Sequence, residues 1–590
     1  MSHRGFRDRS TEHTTFYPRL VGTKAAIAAN SYLAVNAGMD ALKAGGNAID
    51  AAVAAAFVEG VVNPQMHTIG GECPMLIRQA GSDRVLAING NMAAPERATP
   101  AEYRRRGLAA VPDEGVLAAG VPAAFGALLT ALARFGRLSF TDVVTPAREL
   151  AAHGFPVSVG LRNQYKFGLA DLAPRFESWP ASKRLYLPTG QVPEVASLLK
   201  NATLAQTYDH LQQVERGAAG DRSARLEAVR AEFYEGEIGK LIAAFSADRD
   251  GLLTRADLAR FETHVESPLS LAFGDTTVFK CGFWSQGPVL LQALALLQHF
   301  DLKALGHNSA DYLHVVAEVL KLAFADREQY YGDPSQARVP AETLLSTEYA
   351  RVRAALVDRQ RASAELRPGD AYNLGARLAV EQSFLPRPWG RGTVHVDAVD
   401  REGNMASFTP SGAWLRSCEV IEGLGFPLSV RMMTFFTEPA DHPNVVAPFK
   451  RPRTTLTPSL AFRQGKPWLA FGTMGGDQQD QWQLQFFLNR VVFGMTLQQA
   501  IEAPKLSSEH FPGFFSPHDF ALQRLRIEPR VGESALAGLR SRGHELDLAP
   551  DWSEGFVSGA ELHDGGQTVE VGFDPRGAKS EVFPSFGFAW

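Results

Sequence analysis

The stretch GRGTVHVDAVDREGNMASFTPSG, residues 390–412, constrains the chain most, because its pattern predicts two short strands around a turn at residues 400–404. Thr393 stands at the front edge of the first strand, directly after Gly-Arg-Gly. β-Propensity alone explains a Thr at the start of a surface strand. The other interpretation is that the chain is cut before Thr393, which would make this residue the start of a new polypeptide.

The composition of the chain changes at the same place. Residues 361–390 are rich in Pro, Gly and Arg, which predicts an exposed, flexible connector. After Thr393 the pattern changes to strands and turns, with a helix near DQWQLQFFLNRVVFG. We therefore predict one α/β assembly with a natural seam just before Thr393.

The part of the chain before this seam mixes helices and strands. Residues 1–24 predict a loose arm, and residues 25–62 predict two helices broken at Gly45-Gly46, with Asn47 capping the second. TIGGECPMLIRQA and RVLAING predict strands, while GVPAAFGALLTALARFG and SFTDVVTPARELAAHG predict helices that stop at Gly. Residues 157–242 predict mostly polar helices with loops.

Bulk properties exclude several classes of protein. The chain has 590 residues and a net charge of −5, and no long basic stretch indicates nucleic-acid binding. Cys73, Cys281 and Cys418 are odd in number and far apart, so they predict neither a disulfide framework nor a metal site. The N-terminal residues lack an apolar core of signal-peptide length, and no apolar run is long enough to span a bilayer. We expect a cytoplasmic protein.

One segment imitates a calcium-binding loop. SADRDGLLTRADL, residues 246–258, places Asp248 and Asp250 at the spacing of an EF-hand. However, Ser246 occupies the first ligand position, and Asp257 stands where a bidentate Glu belongs. A turn followed by a helix that Thr254 caps is the simpler interpretation.

Other metal and cofactor motifs are missing from the sequence. The 15 His residues are scattered, without the paired spacing of a zinc site, and there is no G-x-G-x-x-G loop. GFWSQG, residues 282–287, has the wrong spacing for a nucleophilic serine elbow, so we predict a loop before a helix that begins near Pro288. We expect neither a metal nor a cofactor.

Two segments near the C-terminal end could line a site. GTMGGDQQDQW, residues 472–482, joins an apolar strand to a helix, and its bare backbone N–H groups could bind an anion or a developing oxyanion. A tight turn explains the same glycines. KRPRTTLTPSL, residues 450–460, places Thr454 and Thr455 together, where they could line a polar pocket or simply begin a strand.

Several of these motifs together resemble the gamma-glutamyltransferase family. GGNAIDAAVAAAFVEGVVNP, FGRLSFTDVVTPARELAAHGFPVS, LGHNSADYLHVVAEVLKLAFADREQYYGDP, GTVHVDAVDREGNMAS and RPRTTLTPSL…GTMGGDQQ match its motifs in order. The resemblance implies an N-terminal-nucleophile hydrolase fold, an αββα sandwich of two sheets stacked between helical layers. It also implies a precursor that cuts itself before a Thr and whose two fragments stay together.

The resemblance assigns roles to residues at matching positions. Thr393 matches the Thr at the cut, which would divide residues 25–392 from residues 393–590, and Gly392 has no side chain to obstruct the attack. The freed α-amino group of Thr393, with a reference pKa of roughly 7.7–8.0, could activate its own hydroxyl. Ser411 matches a hydroxyl that binds the nucleophile, and Gly475 and Gly476 match the oxyanion-hole glycines. Thr454 and Thr455 match a pair of hydroxyls in the substrate pocket.

The sequence departs from the family where a glutamate head group would bind. Asn91 stands in place of an Arg that grips the α-carboxylate, Thr434 in place of an Asp that grips the α-amino group, and Ala413 in place of an Asn. These departures resemble the branch that includes oxamate amidohydrolase, which carries an Arg at the position of Arg431. Arg431 could bind a substrate carboxylate or carbonyl, or form a structural ion pair.

Three functions stay open at this point. The first is an amidohydrolase that forms an acyl-enzyme on Thr393 and acts poorly on glutathione, since loss of a buried recognition group costs on the order of 10⁴-fold in discrimination. The second is a gamma-glutamyltransferase that uses glutathione. The third is a family member that has lost catalysis and acts as a binding protein. For both enzymes we expect a small-molecule amide substrate, no nucleic acid and no membrane.

Overall fold

The computed structural model describes residues 15–378, 392–515, 518, 520–580 and 582–590. The predicted arm at residues 1–24 and the predicted connector at residues 361–390 therefore lie partly outside the described residues. Within the described residues, no helix combines the length and the apolar character that a membrane span requires.

The strands are, in chain order, β1 Leu20–Gly22, β2 Ala25–Ala29, β3 Met75–Arg78, β4 Val85–Asn89, β5 Phe155–Pro156, β6 Leu198–Leu199, β7 His264–Glu266, β8 Leu269–Phe273, β9 Thr276–Lys280, β10 Val396–Asp400, β11 Met405–Phe408, β12 Ser459–Arg463, β13 Lys466–Gly472, β14 Leu506–Ser508, β15 Arg524–Ile527, β16 Glu545–Leu548, β17 Ser558–His563, β18 Thr568–Gly572 and β19 Phe586–Ala589.

The helices are α1 Tyr32–Lys43, α2 Ala48–Val62, α3 Pro100–Arg105, α4 Ala124–Phe135, α5 Phe140–His153, α6 Val159–Asn163, α7 Leu169–Phe176, α8 Pro180–Tyr186, α9 Ala202–Gly217, α10 Arg222–Tyr234, α11 Glu237–Ala247, α12 Arg255–Arg260, α13 Pro288–Leu297, α14 Leu302–Leu305, α15 Ala310–Tyr330, α16 Ala341–Leu344, α17 Thr347–Ala354, α18 Gln478–Val491, α19 Leu497–Glu502, α20 Glu533–Ser541 and α21 Arg576–Ser580. Short 3₁₀ helices lie at Val116–Ala118, Arg431–Thr434 and Pro529–Val531.

Two seven-stranded sheets form the centre of the molecule. Sheet A has the order β1-β18-β17-β13-β12-β9-β8, and sheet B has the order β19-β2-β10-β11-β3-β4-β7. All pairings within these two sheets are antiparallel. Two smaller sheets, β14-β15-β16 and β5-β6, lie outside them.

The two large sheets pack face to face between helices. Small and apolar side chains of both sheets form the inner layer, among them Ala26, Ala28, Met405, Leu460, Ala470 and Ala560. The outer face of sheet B packs against α1, α2 and α4, with α5 behind α2, and that of sheet A packs against α13, α18 and α19, with α15 behind α13. This is the predicted helix–sheet–sheet–helix sandwich, and burial of both faces of each sheet supplies its main stabilising term.

Local signals predicted several of these elements correctly. Asn47 caps α2 in a capping box with Asp50, and all residues of α2 are buried, as its uniformly apolar sequence predicts. Thr254 and Asp257 form a second capping box at the start of α12, so the capped turn is the right interpretation of the calcium-like segment. α13 begins at Pro288.

Two expectations were wrong. Ala25–Ala29 is a buried strand between β19 and β10 rather than the start of a helix. A five-residue apolar run carries no period that distinguishes a buried strand from a helix. The loose arm also ends before residue 24, because Leu20–Gly22 pairs with β18 at the edge of sheet A.

Candidate active site

Thr393 and Ser411 lie side by side at one end of the sandwich. β10 and β11 are antiparallel, with Val396 opposite Phe408, so the start of β10 lies next to the end of β11. Their ladder continues beyond the regular strands as an isolated bridge between Thr393 and Ser411. Both residues are buried, Thr393 with 4% of its surface exposed.

The Ser411 hydroxyl is the centre of a hydrogen-bond network. Its Oγ lies 3.1 Å from Thr393 Oγ1, 2.8 Å from Gly392 O and 2.9 Å from Arg431 Nη2. A hydroxyl donates once and accepts twice, a carbonyl only accepts and a guanidinium only donates. Ser411 therefore donates to Gly392 O, and Thr393 must donate its own O–H to Ser411.

Arg431 reaches this network from a buried ion pair. Its guanidinium lies 3.5 Å from Glu72, and its faces approach the rings of Trp414 at 4.7 Å and Phe515 at 5.8 Å. Burial raises the pKa of Glu72, although Arg431 and a hydrogen bond from Ser429 oppose that shift. Burial also lowers the pKa of Arg431. Arg431 therefore contacts the site through its hydrogen bond to Ser411 and through the Trp414 ring.

Gly475 and Gly476 form the loop between β13 and α18. Their φ angles of 121° and 59° lie in the left-handed region that glycine adopts most readily. In the described part of the chain, neither backbone N–H donates a hydrogen bond to another residue. A Cβ on Gly475 would lie 2.8 Å from the Trp482 ring, so a side chain would force this loop to move.

This glycine loop lies at the same end of the sandwich as Thr393. Gly472 at the end of β13 lies against the ring of His395, two residues after Thr393, because a Cβ there would be 2.2 Å from His395 Cε1. A Cβ on Gly476 would lie 3.6 Å from Phe515, the same residue that faces the Ser411-bound guanidinium. The two parts of the candidate site are thus joined through shared neighbours.

The paired threonines connect to the glycine loop through Gln286. Gln286 N donates to Thr454 O at 2.8 Å, and its side-chain amide donates to Gly476 O at 3.1 Å. Thr454 and Thr455 are both buried. Sequence reasoning treated the segment of Gln286 only as a loop before α13 and did not find this link.

Asn91 and Thr434 brace the backbone next to this pair. Asn91 donates its side-chain amide to Pro452 O. The Thr434 hydroxyl lies 2.9 Å from Arg431 O and 3.3 Å from Arg453 O. Both side chains are fully buried and uncharged where the resemblance expects a charged anchor.

Two further residues touch the site and were missed by sequence reasoning. Trp414 Nε1 donates to Gly392 O at 2.7 Å, which gives this carbonyl a second donor beside Ser411. Glu72 forms two backbone hydrogen bonds with Ser411, of 2.8 and 2.9 Å. One signal in the sequence pointed to Glu72, because it is a carboxylate inside an otherwise apolar segment. A charged side chain in such a segment is rarely buried without a partner.

One group of buried side chains has the residue types and the spacing of a metal site. Among the described residues, ligand atoms of His314, Glu318 and His544 lie within 4.8 Å of one another. However, Glu318 accepts from Lys321 at 2.6 Å and from Arg367 at 2.8 Å. His314 Nε2 lies 2.7 Å from Asp358 O and its Nδ1 lies 2.8 Å from His544 Nε2. These contacts already occupy Glu318 and both ring nitrogens of His314.

The fold and the residues assembled at its end define a class of enzymes that act on amide bonds. A sequence model of the family described as Gamma-glutamyltranspeptidase matches residues 34–583. The glutathione hydrolase proenzyme of Escherichia coli is 29% identical over 560 residues, which cover 91% of this chain and 88% of that protein. The chain therefore belongs to the gamma-glutamyltranspeptidase family.

Solved structures agree with this assignment. The structure of LmbA2991HD is 40% identical and superimposes with a TM-score of 0.91, covering 98% of this chain and 100% of that one. Cephalosporin acylase from Bacillus halodurans is 26% identical, with a TM-score of 0.84 over 99% of both chains. The predicted N-terminal-nucleophile hydrolase fold and the prediction of an amide-bond hydrolase or transferase are confirmed.

Proposed function

We propose that this chain is a self-processing amidohydrolase that uses Thr393 as its nucleophile. The observation that carries the proposal is the position of the Thr393 hydroxyl, which donates to Ser411 while Ser411 donates to the adjacent Gly392 carbonyl. The E. coli relative is named a proenzyme, which supports a precursor that is cut. In this proposal the fragments end at Gly392 and begin at Thr393.

Self-cleavage requires only groups that the chain supplies. Thr393 Oγ1 attacks the carbonyl carbon of Gly392, the C–N bond breaks, and the hydroxyl proton ends on the Thr393 nitrogen. The product is an ester between Gly392 and the Thr393 side chain. Water then opens the ester and leaves a carboxylate on Gly392, with a free amine and a free hydroxyl on Thr393.

The processed enzyme then repeats similar chemistry on a substrate. The Thr393 amine takes the proton of its own hydroxyl, and Oγ1 attacks the substrate amide carbon. The N–H groups of Gly475 and Gly476, which donate to no other described residue, are the donors for the oxygen that becomes negative. The leaving amine departs with the proton, and water releases the acyl group as an acid.

The substrate class follows from the buried side chains beside the glycine loop. Asn91 and Thr434 carry no charge, and each is engaged with backbone carbonyls. Arg431 is engaged with Glu72 and Ser411. These side chains offer no free charged pair to a glutamyl head group, so the proposed substrate is a simpler amide, in keeping with the resemblance to oxamate amidohydrolase.

The test is the intact mass of freshly purified protein under denaturing conditions, for the wild type, Thr393→Ala and Thr393→Ser. We expect two fragments from the wild type and from Thr393→Ser, which keeps the hydroxyl. Thr393→Ala should remain one chain and lose amidase activity by about 10⁶-fold, as a serine protease does without its nucleophile. Normal cleavage of Thr393→Ala would overturn the proposal.

The processed wild type also tests the substrate class. It is assayed with glutathione, a glutamyl anilide and simple amides of small acids under identical conditions. We expect the simple amides to be cleaved and the glutamyl compounds to react at least 10⁴-fold more slowly, as when a site lacks a substrate's recognition partner. Efficient transfer from glutathione would instead establish a gamma-glutamyltransferase.

A further inference from the structure

We propose that Trp414 is a catalytic residue of self-cleavage, because its indole N–H binds the Gly392 carbonyl oxygen on which negative charge develops. This inference deepens the proposed function and rests on it. Trp414 Nε1 lies 2.7 Å and Ser411 Oγ 2.8 Å from Gly392 O. Both distances are within the range in which hydrogen-bond donors stabilise an oxyanion.

The Trp414 side chain is fixed in this orientation. It is 2% exposed, and its ring meets Phe167 edge to face with the centroids 5.5 Å apart. The guanidinium of Arg431 covers it at 4.7 Å. Because an indole N–H can only donate, it offers a preorganised dipole that requires no reorientation during the reaction.

Gly392 explains why the donor can come so close. A Cβ at this position would lie 2.6 Å from Phe167 Cε1 and 3.0 Å from Trp414 Nε1. A side chain would therefore push the indole and its supporting ring away from the carbonyl. A glycine before the cut thus keeps the attack path open and also preserves the Trp414 hydrogen bond.

The molecule then has two separate sets of oxyanion donors. In the described part of the chain, the bonds to Gly392 O come from the side chains of Ser411 and Trp414. The backbone donors of Gly475 and Gly476 bind no protein acceptor there. We assign the side-chain set to the cut in the chain and leave the backbone set for the external amide.

Trp414 acts on the first step of the cleavage. As the bond from Thr393 Oγ1 to the Gly392 carbon forms, the carbonyl double bond becomes a single bond and its electron pair moves to the oxygen. The two N–H and O–H donors stabilise this charge. When the C–N bond breaks, the carbonyl is restored and the Thr393 nitrogen holds the proton that the hydroxyl lost.

The experiment compares the cleavage of Trp414→Phe with that of a matched tryptophan variant, Trp468→Phe. Trp468 is equally well buried, with 4% of its surface exposed, and donates its indole N–H to Glu561 at 2.6 Å rather than to Gly392. Each full-length precursor is followed by intact mass over time at constant pH. We expect cleavage 10²–10³-fold slower in Trp414→Phe, the effect of losing one oxyanion donor, and a wild-type rate in Trp468→Phe.

A second replacement removes the N–H without altering the packing. Benzothienylalanine at position 414 has a sulfur in place of the indole N–H and nearly the same shape, so it decides the outcome if Trp414→Phe does not fold. Slow cleavage with a native circular dichroism spectrum supports the inference. Cleavage at the wild-type rate overturns this inference alone, whereas an uncut wild type overturns the proposed function as well.

Discussion

Two ion pairs of glutamate and buried arginine in this molecule have the same chemical groups but differ in how completely the charges neutralise each other. Arg453 lies 2.9 and 3.0 Å from the two oxygens of Glu328, and Arg327 lies 2.7 Å from the same carboxylate. Arg431 approaches Glu72 only to 3.5 Å and directs an N–H to Ser411 instead. Phe514 and Phe515, which are neighbours in sequence, cover Arg453 and Arg431 respectively.

The pKa values of the two carboxyls differ accordingly. Burial alone would raise the pKa of Glu328, but Arg453 and Arg327 outweigh it and lower that pKa to about 2. Burial also raises the pKa of Glu72, and Arg431 offsets this only in part. The first pair is a closed ion pair that stabilises the fold. In the second pair, Glu72 does not engage all the N–H groups of Arg431. One of these N–H groups therefore donates to Ser411 in the site.

The largest expected effect on stability is at the closed pair. Glu328→Gln leaves Arg453 and part of Arg327 as buried charges without a full counter-charge, so we expect a loss of about 3–5 kcal/mol in the free energy of unfolding. Urea denaturation of the variant and the wild type measures it. Glu422→Gln, in an ion pair with 81% of the Glu422 side chain exposed, is the control and should change little. Similar losses in both variants would contradict the comparison.

The second prediction is that the two pairs respond to pH with opposite sign. The native pKa of Glu328 is depressed from 4.5 to about 2, so its contribution is present above pH 4.5 and is lost as the pH falls through this interval. The loss amounts to roughly 3 kcal/mol. The native pKa of Glu72 is raised above 4.5. As the pH rises above 4.5, ionisation of Glu72 therefore lowers the free energy of unfolding.

This prediction is measured as the difference in unfolding free energy between each Glu→Gln variant and the wild type from pH 3 to pH 7. The deficit of Glu328→Gln should shrink toward low pH. The deficit of Glu72→Gln should shrink toward high pH. Parallel pH profiles would mean that the two carboxyls are in equivalent environments.

The sequence predicts features that depend on local or repeated signals. The Asn47 capping box, the glycines of the β13–α18 loop and the pair Thr393 and Ser411 all lie in contiguous motifs. Two errors in the fold have a local cause as well, since short strands such as Leu20–Gly22 carry too few residues to show a period. The order of the motifs along the chain identified the sandwich correctly, because the segments that carry the motifs also form the strands and helices of the sandwich.

Contacts between remote segments could not be predicted in this way. Glu72 and Arg431 are separated by 359 positions, and they meet because β3 pairs with β11 and backbone hydrogen bonds join Glu72 to Ser411 beyond those strands. Trp414 lies just three residues after Ser411, yet a tryptophan there is equally consistent with a core residue. Its bond to Gly392 depends on the chain turning back after β11, which no residue pattern specifies.

The smallest expected effect is at the open pair. Glu72→Gln should lower the free energy of unfolding by only about 1–2 kcal/mol, as for a lost hydrogen bond to a charged group. The raised pKa of Glu72 means that its buried carboxylate is itself costly, so a neutral amide removes part of that cost while it leaves Arg431 without its partner. Urea denaturation beside Glu328→Gln measures the difference. Equal losses of unfolding free energy in the two variants would show that Arg431 depends on Glu72 as fully as Arg453 depends on Glu328. The Glu72–Arg431 pair would then serve mainly to stabilise the fold, and the bond from Arg431 to Ser411 would be secondary to it.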